Sequence, residues 1–343
     1  MIFWIEASQQ TGMGHLMESL VLAEHFTKKG ASVYFVINPY EPSRLELQKR
    51  GIAYVEYELD EIDEIIHFIN KKNVRHVIIN HRNVSLNILE RIQHEDFSVT
   101  VIDQLGNKPI ICDLLINKSL VPQWLQYDFP ANRPTCCFGA DYAILGDSYR
   151  KLNRKKKAFS KNRYTVLVSM GGVDRTGATL RIIEALRPIA NISKEIILGN
   201  GFAHFKQLKQ LCKKNNDPSF HFYAGVGDLH ERMSQADIVI SAGGNTLFEM
   251  ACVGTPGIVL WEDEHEHIQA ESLDEKGCVV CLGNGIHTPI NVISDFVHKL
   301  LKDSLRREKM SQCGKSLVDA KGRNRIAAAI MKLNTIRINN NDK

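Results

Sequence analysis

Short apolar runs alternate with amphipathic stretches along most of the chain. IFWIEA, SVYFVI, IAYVEY and RHVIIN have the length and the β-branched and aromatic content of strands. Between them, about Gly14 to Lys29, then EPSRLELQKR and DEIDEIIHFINKK, apolar residues recur every three or four positions, as on one face of a helix. SVTVIDQ and CDLLIN continue the series, and such alternation predicts βαβ units and a parallel sheet. The pattern breaks at residues 150–163, RKLNRKKKAFSKNR, where eight of fourteen residues are basic and no apolar period survives; this reads as a linker. Alternation restarts at YTVLVSMGG and runs through KEIIL, FHFYAG, ADIVISAGG, TPGIVLW and CVVCLG, while the tail from Asn291 to Leu333 reads as helices alone. The prediction is an α/β protein of two Rossmann-like lobes with parallel sheets facing across a cleft: residues 1–149, a basic linker 150–163, and residues 164–343 with a helical tail.

Length agrees, since 343 residues exceed what one hydrophobic core usually supports. With 44% apolar and 24% charged residues the chain has the composition of a soluble globular protein, and no apolar run approaches the roughly 18 residues of a membrane-spanning helix. The first apolar run lacks a basic segment before it and is interrupted by Glu6, so it reads as a strand rather than a signal peptide, and the expected location is cytoplasmic. The formal charge of +4 is mild and spread along the chain; no nucleic-acid partner is expected. The basic linker offers at most a weak peripheral attraction to an anionic membrane surface. Eight scattered cysteines are expected to be reduced thiols, and the CVVC spacing of Cys278 and Cys281 reads as a strand whose third-neighbour side chains point to opposite faces.

In open α/β sheets, ligands sit outside the carboxyl ends of the strands. Four strand-to-glycine junctions are candidates: TGMGH, SMGGVD, AGVGD and SAGGNT. In SAGGNTLFE, Gly243 and Gly244 allow close backbone approach, and Asn245 or Thr246 can cap a helix whose first N–H groups attract phosphate oxygens. Glu249, one turn on, can accept bonds from two vicinal hydroxyls such as those of a ribose. A tight turn followed by a solvated glutamate accounts for a lone glycine pair as well. Gly171 and Gly172 repeat the arrangement in SMGGVD, and two such turns can converge on one diphosphate. No G-x-x-x-x-G-K-[ST] occurs, and Met17 stands where a dinucleotide fingerprint needs its third glycine, which argues against ATPase and NAD-enzyme readings. Gly12 and Gly14 open the first junction so that His15, in the first turn of the next helix, can project into the cleft. An imidazole there can take a proton from an attacking hydroxyl or water; a helix cap or a core histidine is the alternative. His265 and His267 lie amid acidic residues, but on a helix two positions place them about 200° apart, so no metal site is expected. No cofactor is called for either.

Together these pieces resemble the GT-B sugar-nucleotide proteins, and among them the family of the UDP-sugar hydrolase PseG of the pseudaminic-acid pathway and the spore-coat polysaccharide protein SpsG. The resemblance is carried by GMGHLMESLVLAE, VIDQLGNKPIICDLLIN, FGADYAIL, VLVSMGGVD, ADIVISAGGNTLFEMACVGTP and LVDAKGRNRI, over nearly the whole chain. It implies a UDP-sugar whose diphosphate and ribose meet Gly243, Gly244, Asn245, Thr246 and Glu249, with His15 near the anomeric carbon. It also implies cleavage of the C1–O bond, by water in the hydrolase or by a sugar acceptor in related transferases such as MurG. Departures from the family pattern are Glu18 at an arginine position, Asn80 and Arg82 in place of an acid and a phenol, and His265 and Glu266 in place of an Asn-Gln pair. Nucleotide binding survives these changes better than the hydrolase's own substrate does. Hydrolysis, transfer to an acceptor, and non-catalytic nucleotide-sugar binding all stay open at this point.

Overall fold

The computed structural model describes residues 1–82, 84–95, 97–155, 157, 163–214 and 217–341, which form two compact units. Residues 1–145 and 321–343 make the first, and residues 146–320 the second.

The first unit runs β1 (Ile2–Ile5), α1 (Gly14–Thr27), β2 (Tyr34–Ile37), α2 (Glu41–Lys49), β3 (Tyr54–Glu56), α3 (Ile62–Lys71), β4 (His76–Asn80), α4 (Leu86–His94), β5 (Ser98–Ile102), β6 (Leu114–Asn117) and β7 (Thr135–Phe138). All seven strands are parallel, in the order β3-β2-β1-β4-β5-β6-β7. Strand β1 lies inside the sheet between β2 and β4, and IFWI is apolar throughout because both faces of a parallel sheet are covered. Ile2 and Trp4 pack with Ile65, Ile69, Ile88 and Leu89 of α3 and α4. Phe3 and Ile5 point the other way, into a layer with Leu16, Leu20 and Phe26 of α1. Ile5 pairs in register with Asn80, so the carboxyl ends of β1 and β4 lie side by side.

The second unit opens with α5 (Asp147–Asn153) and continues β8 (Tyr164–Ser169), α6 (Ala178–Leu186), β9 (Ile192–Leu198), α7 (Phe205–Lys214), β10 (Phe220–Ala224), α8 (Leu229–Gln235), β11 (Ile238–Ser241), α9 (Thr246–Val253), β12 (Gly257–Trp261), α10 (Glu264–Glu275), β13 (Val279–Asn284), α11 (Ile290–Lys302) and α12 (Ser304–Leu317). Its six parallel strands are ordered β10-β9-β8-β11-β12-β13. In both sheets the order reverses beside the first strand, as in doubly wound folds.

The expected division of the chain differs from the observed one at both ends of the second lobe. The last helix, α13 (Gly322–Asn341), groups with the first unit, not with the second. Its Ile326, Ala327 and Ile330 are buried against Phe3, Leu16, Leu20 and Ile116, completing the layer that α1 alone leaves open. Gly322 lets the helix enter there, since a Cβ at that position would stand 2.7 Å from the Tyr142 carbonyl carbon. The stretch 150–163 also does not begin as a linker. Asn153, at the end of α5, donates its side-chain amide to the carbonyls of Cys252 (2.9 Å) and Val318 (3.1 Å), and Lys157 reaches the Ser234 carbonyl (2.7 Å). These anchors are polar and so leave no apolar period. Residues 156 and 158–162 of that stretch lie outside the described residues.

The expectation of reduced thiols is corrected at one place. Cys278, just before β13, is bonded to Cys313 of α12, with Cα atoms 5.2 Å apart, well inside bridging range. The partner is 35 residues away, so the CVVC spacing gave no sign of it. Cys281 keeps a free thiol. No helix among the described residues is long and apolar enough to cross a membrane.

Candidate active site

The chain leaves β1 through Ala7 and folds back at once. Gly12 donates its N–H to the Ser8 carbonyl (2.8 Å), and the Ser8 hydroxyl accepts from the Thr11 N–H (3.0 Å). The turn holds Gly12 at φ 71°, a backbone region that glycine enters without strain. Gly14 then starts α1 and His15 follows. The ring does not stand free as the sequence suggested: His15 is only 4% exposed and is tied back onto β4. Its Nδ1 meets the Oδ1 of Asn80 at 2.7 Å, while the Nδ2 of Asn80 donates to the His15 carbonyl and to the Ser19 hydroxyl, each at 3.2 Å.

More polar groups gather at the same edge. His81 is buried with its ring edge-on to Trp4 at 5.1 Å, and its Nε2 has no hydrogen-bond partner. Burial, then the neighbouring His15 and Lys108, push its pKa down to about 3, so it is neutral at physiological pH. Asp103, directly after β5, accepts from the Tyr127 hydroxyl (2.6 Å) and the Gly106 N–H (2.8 Å), and pairs with Lys108 (2.8 Å). Burial, followed by the charge of Asp103, raises Tyr127 far above the usual phenol range. Glu18, one turn past His15, forms a buried ion pair with Lys118, which follows β6. The backbone N–H of Arg82 donates to Glu6 at 2.9 Å. Glu6, His81, Arg82, Asp103 and Lys118 directly follow the carboxyl ends of their strands, where ligands of open α/β sheets bind, and Glu18 and Tyr127 are brought to them from α1 and from the segment after β6.

In the second unit, Ser169 and Ser241 pair in register, and the Ser241 hydroxyl donates to the Ser169 carbonyl at 2.8 Å. Gly171–Gly172 and Gly243–Gly244 therefore leave neighbouring strands at the same level, as convergence on one ligand requires. The glycine at 243 has a further reason. A Cβ there would overlap the Cβ of Glu266 and stand 2.7 Å from the Glu266 carbonyl oxygen, because the first turn of α10 packs directly on this backbone. Asn245 does occupy the N-cap of α9, but its side chain makes no capping bond: its backbone is already helical, φ −55° and ψ −29°, unlike the extended conformation of a capping asparagine. Thr246 opens the helix and is buried. Glu249 takes a hydrogen bond from the Tyr149 hydroxyl of α5, whose pKa is raised by burial first and by Glu249 second.

The carboxylate of Glu266 lies over the glycine pair. It accepts the Glu262 N–H (2.8 Å) and the Gly243 N–H, and Oε1 stands 3.4 Å from where a Gly244 side chain would begin. Its pKa is pushed up to about 7, chiefly by burial and further by the charges of Asp263 and Glu262, which outweigh the two N–H bonds. His265 precedes it on the first turn of α10 and is half-buried. The next histidine, His267, stacks on Trp261 at 4.5 Å and is held by Glu271 (2.8 Å) and Glu264 (3.5 Å). Burial works against its protonation, but these two carboxylates prevail and raise its pKa.

Sequence reasoning had not picked out Arg175, Asp174 or Tyr149. Arg175 bridges from the loop after Gly172 to Glu262 (3.3 Å) and Asp263 (3.1 Å), and Thr176 donates to Glu262 (3.0 Å). Asp174 caps α6 by accepting the N–H groups of Ala178 (2.9 Å) and Thr179 (3.1 Å). The signal for Asp174 was present, an aspartate ahead of a helix; the others depend on contacts between distant segments.

Comparison with known proteins agrees with the architecture. Residues 166–326 match the glycosyltransferase family 28 C-terminal domain. The chain is 23% identical over 333 residues to the spore coat polysaccharide biosynthesis protein SpsG of Bacillus subtilis, covering 96% of both chains. It is 28% identical over 223 residues to the UDP-2,4-diacetamido-2,4,6-trideoxy-beta-L-altropyranose hydrolase of Campylobacter jejuni, covering 63% of this chain and 75% of that one. Among solved structures, MurG of Acinetobacter baumannii superposes with a TM-score of 0.68 over 96% of this chain and 99% of its own, at 13% identity. The fold is thus that of the GT-B glycosyltransferases.

Proposed function

We propose that this chain is a cytoplasmic nucleotide-sugar-processing enzyme of surface or spore-coat polysaccharide synthesis, cleaving the anomeric C–O bond of a UDP-linked sugar. The observation that carries the reading is the pair of glycine turns emerging in register from β8 and β11, within a segment that matches a glycosyltransferase domain. Whole-length similarity to SpsG supports a role in polysaccharide synthesis, and partial similarity to a UDP-sugar hydrolase supports a UDP-linked substrate.

In this reading the second unit holds the nucleotide. Backbone N–H groups at Gly171, Gly172 and Gly244 and the start of α9 face the diphosphate, Gly243, whose own N–H is held by Glu266, brings that carboxylate to the site, and Glu249, oriented by Tyr149, takes the ribose hydroxyls. His265 and Glu266 border the diphosphate and the sugar. Gly12 and Gly14 shape the turn that presents His15, the base that removes a proton from the attacking oxygen as the C1–O bond breaks and the diphosphate leaves with the bonding electrons. The attacking oxygen belongs to water in hydrolysis and to a sugar hydroxyl in transfer. The changes at Glu18, Asn80 and Arg82 lie at the acceptor end of this scheme, where they alter the sugar or the acceptor before they alter nucleotide binding.

The test is a thermal-shift screen of UDP, GDP, CMP and dTDP sugars, followed by product analysis on the best binder with and without candidate acceptors. UDP-sugars raise the melting temperature, and His15→Ala abolishes turnover while keeping that shift. If no nucleotide shifts the transition, the site assignment is wrong. If nucleotide binds but no donor and acceptor combination turns over, the protein is a binding module rather than an enzyme.

A further inference from the structure

The environment of His15 decides more than its position. Asn80 closes β4 and has no exposed surface, so its carboxamide must meet all its partners within the protein. One of those partners, the His15 backbone carbonyl, can only accept; the Ser19 hydroxyl can accept as well. The amide nitrogen must therefore face them, because turning the group over would set its oxygen against the His15 carbonyl oxygen. With the nitrogen so placed, Oδ1 faces the ring nitrogen Nδ1 at 2.7 Å, and an amide oxygen has no proton to give. Nδ1 must carry the hydrogen of the neutral ring, and Nε2 is left with the lone pair.

We propose that Asn80 is a positioning residue which locks His15 in the Nδ1–H tautomer, makes Nε2 the nitrogen that accepts the substrate proton, and does so without placing a negative charge behind the ring. The proposal rests on reading His15 as the base, but its structural half stands apart from that reading. A carboxylate at position 80 would also accept from Nδ1–H and would stabilise the imidazolium, but its second oxygen would face the His15 carbonyl where the amide nitrogen now donates, leaving the Ser19 hydroxyl as its donor there. The other charged or titratable groups around this edge do not replace such a charge. Glu18 on α1 is committed to Lys118, Asp103 after β5 is committed to Lys108 and Tyr127, Glu6 after β1 accepts the Arg82 backbone N–H, His81 after β4 is neutral, and none of them is hydrogen-bonded to the His15 ring.

The experiment is nitrogen-detected NMR of the full chain labelled with ¹⁵N-histidine, titrated without substrate, with His15→Gln assigning the His15 signals. Above the titration midpoint the wild type shows a pyrrole-type Nδ1 and a pyridine-type Nε2. Asn80→Asp keeps that pattern and moves the midpoint upward by about one unit or more, since it adds a carboxylate in contact with the ring. Asn80→Ala gives a mixture of tautomers; where it fails to fold, Asn80→Asp still decides. An Nε2–H tautomer in the wild type overturns the proposal, and so does an Asn80→Asp midpoint that does not move. Either result leaves the base assignment to the separate outcome of His15→Ala. Conversely, a correct tautomer in a protein that His15→Ala leaves fully active sinks the base and spares the lock.

Discussion

Replacing His81 by Phe should make the first unit markedly less sensitive to acid. The ring of His81 is 2% exposed, its Nε2 is unpartnered, and its pKa lies at about 3 against an ordinary 6.5. The folded state therefore holds the neutral form, while the unfolded chain takes up a proton near pH 6.5. A depressed pKa of this kind contributes stability that is complete above pH 6.5 and is lost as the pH falls toward 3. Each unit of difference corresponds to 1.36 kcal/mol, so the whole contribution approaches about 5 kcal/mol, of which about 2 kcal/mol has gone by pH 5. Phenylalanine keeps an aromatic ring against Trp4, removes the unpartnered nitrogen and cannot titrate. The assay is guanidinium unfolding at pH 7.5 and pH 5.0, followed by the fluorescence of Trp4 with Trp124 and Trp261 replaced by Phe in both proteins. Carboxylates and the remaining histidines affect the two proteins alike and cancel. Wild type should lose about 2 kcal/mol more than His81→Phe between the two pH values. Parallel losses would show that His81 is protonated in the native state and that burial does not govern it.

Three other perturbations separate the roles assigned above. Because Glu266 sheds its proton near pH 7 beside the glycine pair, UDP should bind about tenfold more weakly at pH 8 than at pH 6 in calorimetry, beyond the change seen in Glu266→Gln, in which the nucleotide's own titration remains. An equal pH dependence in the two proteins would place the diphosphate away from this carboxylate. Gly243→Ala should destabilise the second unit by about 1–3 kcal/mol in thermal unfolding, because the clash is with the first turn of α10, whereas Gly172→Ala, with open space at its Cβ, should stay within about 0.5 kcal/mol. Ile330→Asp, at the end of the Ile326–Ile330 stripe, should lower the unfolding midpoint reported by Trp4 and leave that of Trp261 unchanged; the reverse pattern would return α13 to the second unit.

The succession of strands and helices and the fold class were legible because strands and helices differ in period, and a buried parallel strand such as IFWI announces itself by being apolar on both faces. The destination of α13 was not. Its stripe of Ile326, Ala327 and Ile330 says that one side is covered but not by which sheet, and nothing local distinguishes a tail that stays from one that returns to the first unit. The anchoring of Asn153 and Lys157 was hidden for the opposite reason, since both are held through backbone carbonyls and polar anchors leave no hydrophobic trace. The Cys278–Cys313 pair depends on two segments 35 residues apart meeting at the end of α12.

At the candidate site the same distinction holds between residue types and their partners. The glycines, His15, Glu249 and Glu266 are visible one by one, because each belongs to a strand-to-helix junction or to the first turn of a helix. What each can do is set by a partner elsewhere in the chain: Asn80 for His15, Tyr149 for Glu249, Gly243 for Glu266. The partnership of His15 and Asn80 was within reach, since the doubly wound strand order puts β4 beside β1 and so sets the residue that closes β4 next to whatever begins α1. The other two required the helices to be placed first. These partners also divide the charge. A neutral amide stands behind the imidazole in the first unit, and a carboxylate that is half-protonated near pH 7 lies over the glycine turns of the second. Activity in this scheme should therefore decline on the alkaline side through loss of diphosphate binding at Glu266, a limb that Glu266→Gln should remove from the pH–rate profile and that would persist in that variant if the carboxylate lay away from the diphosphate.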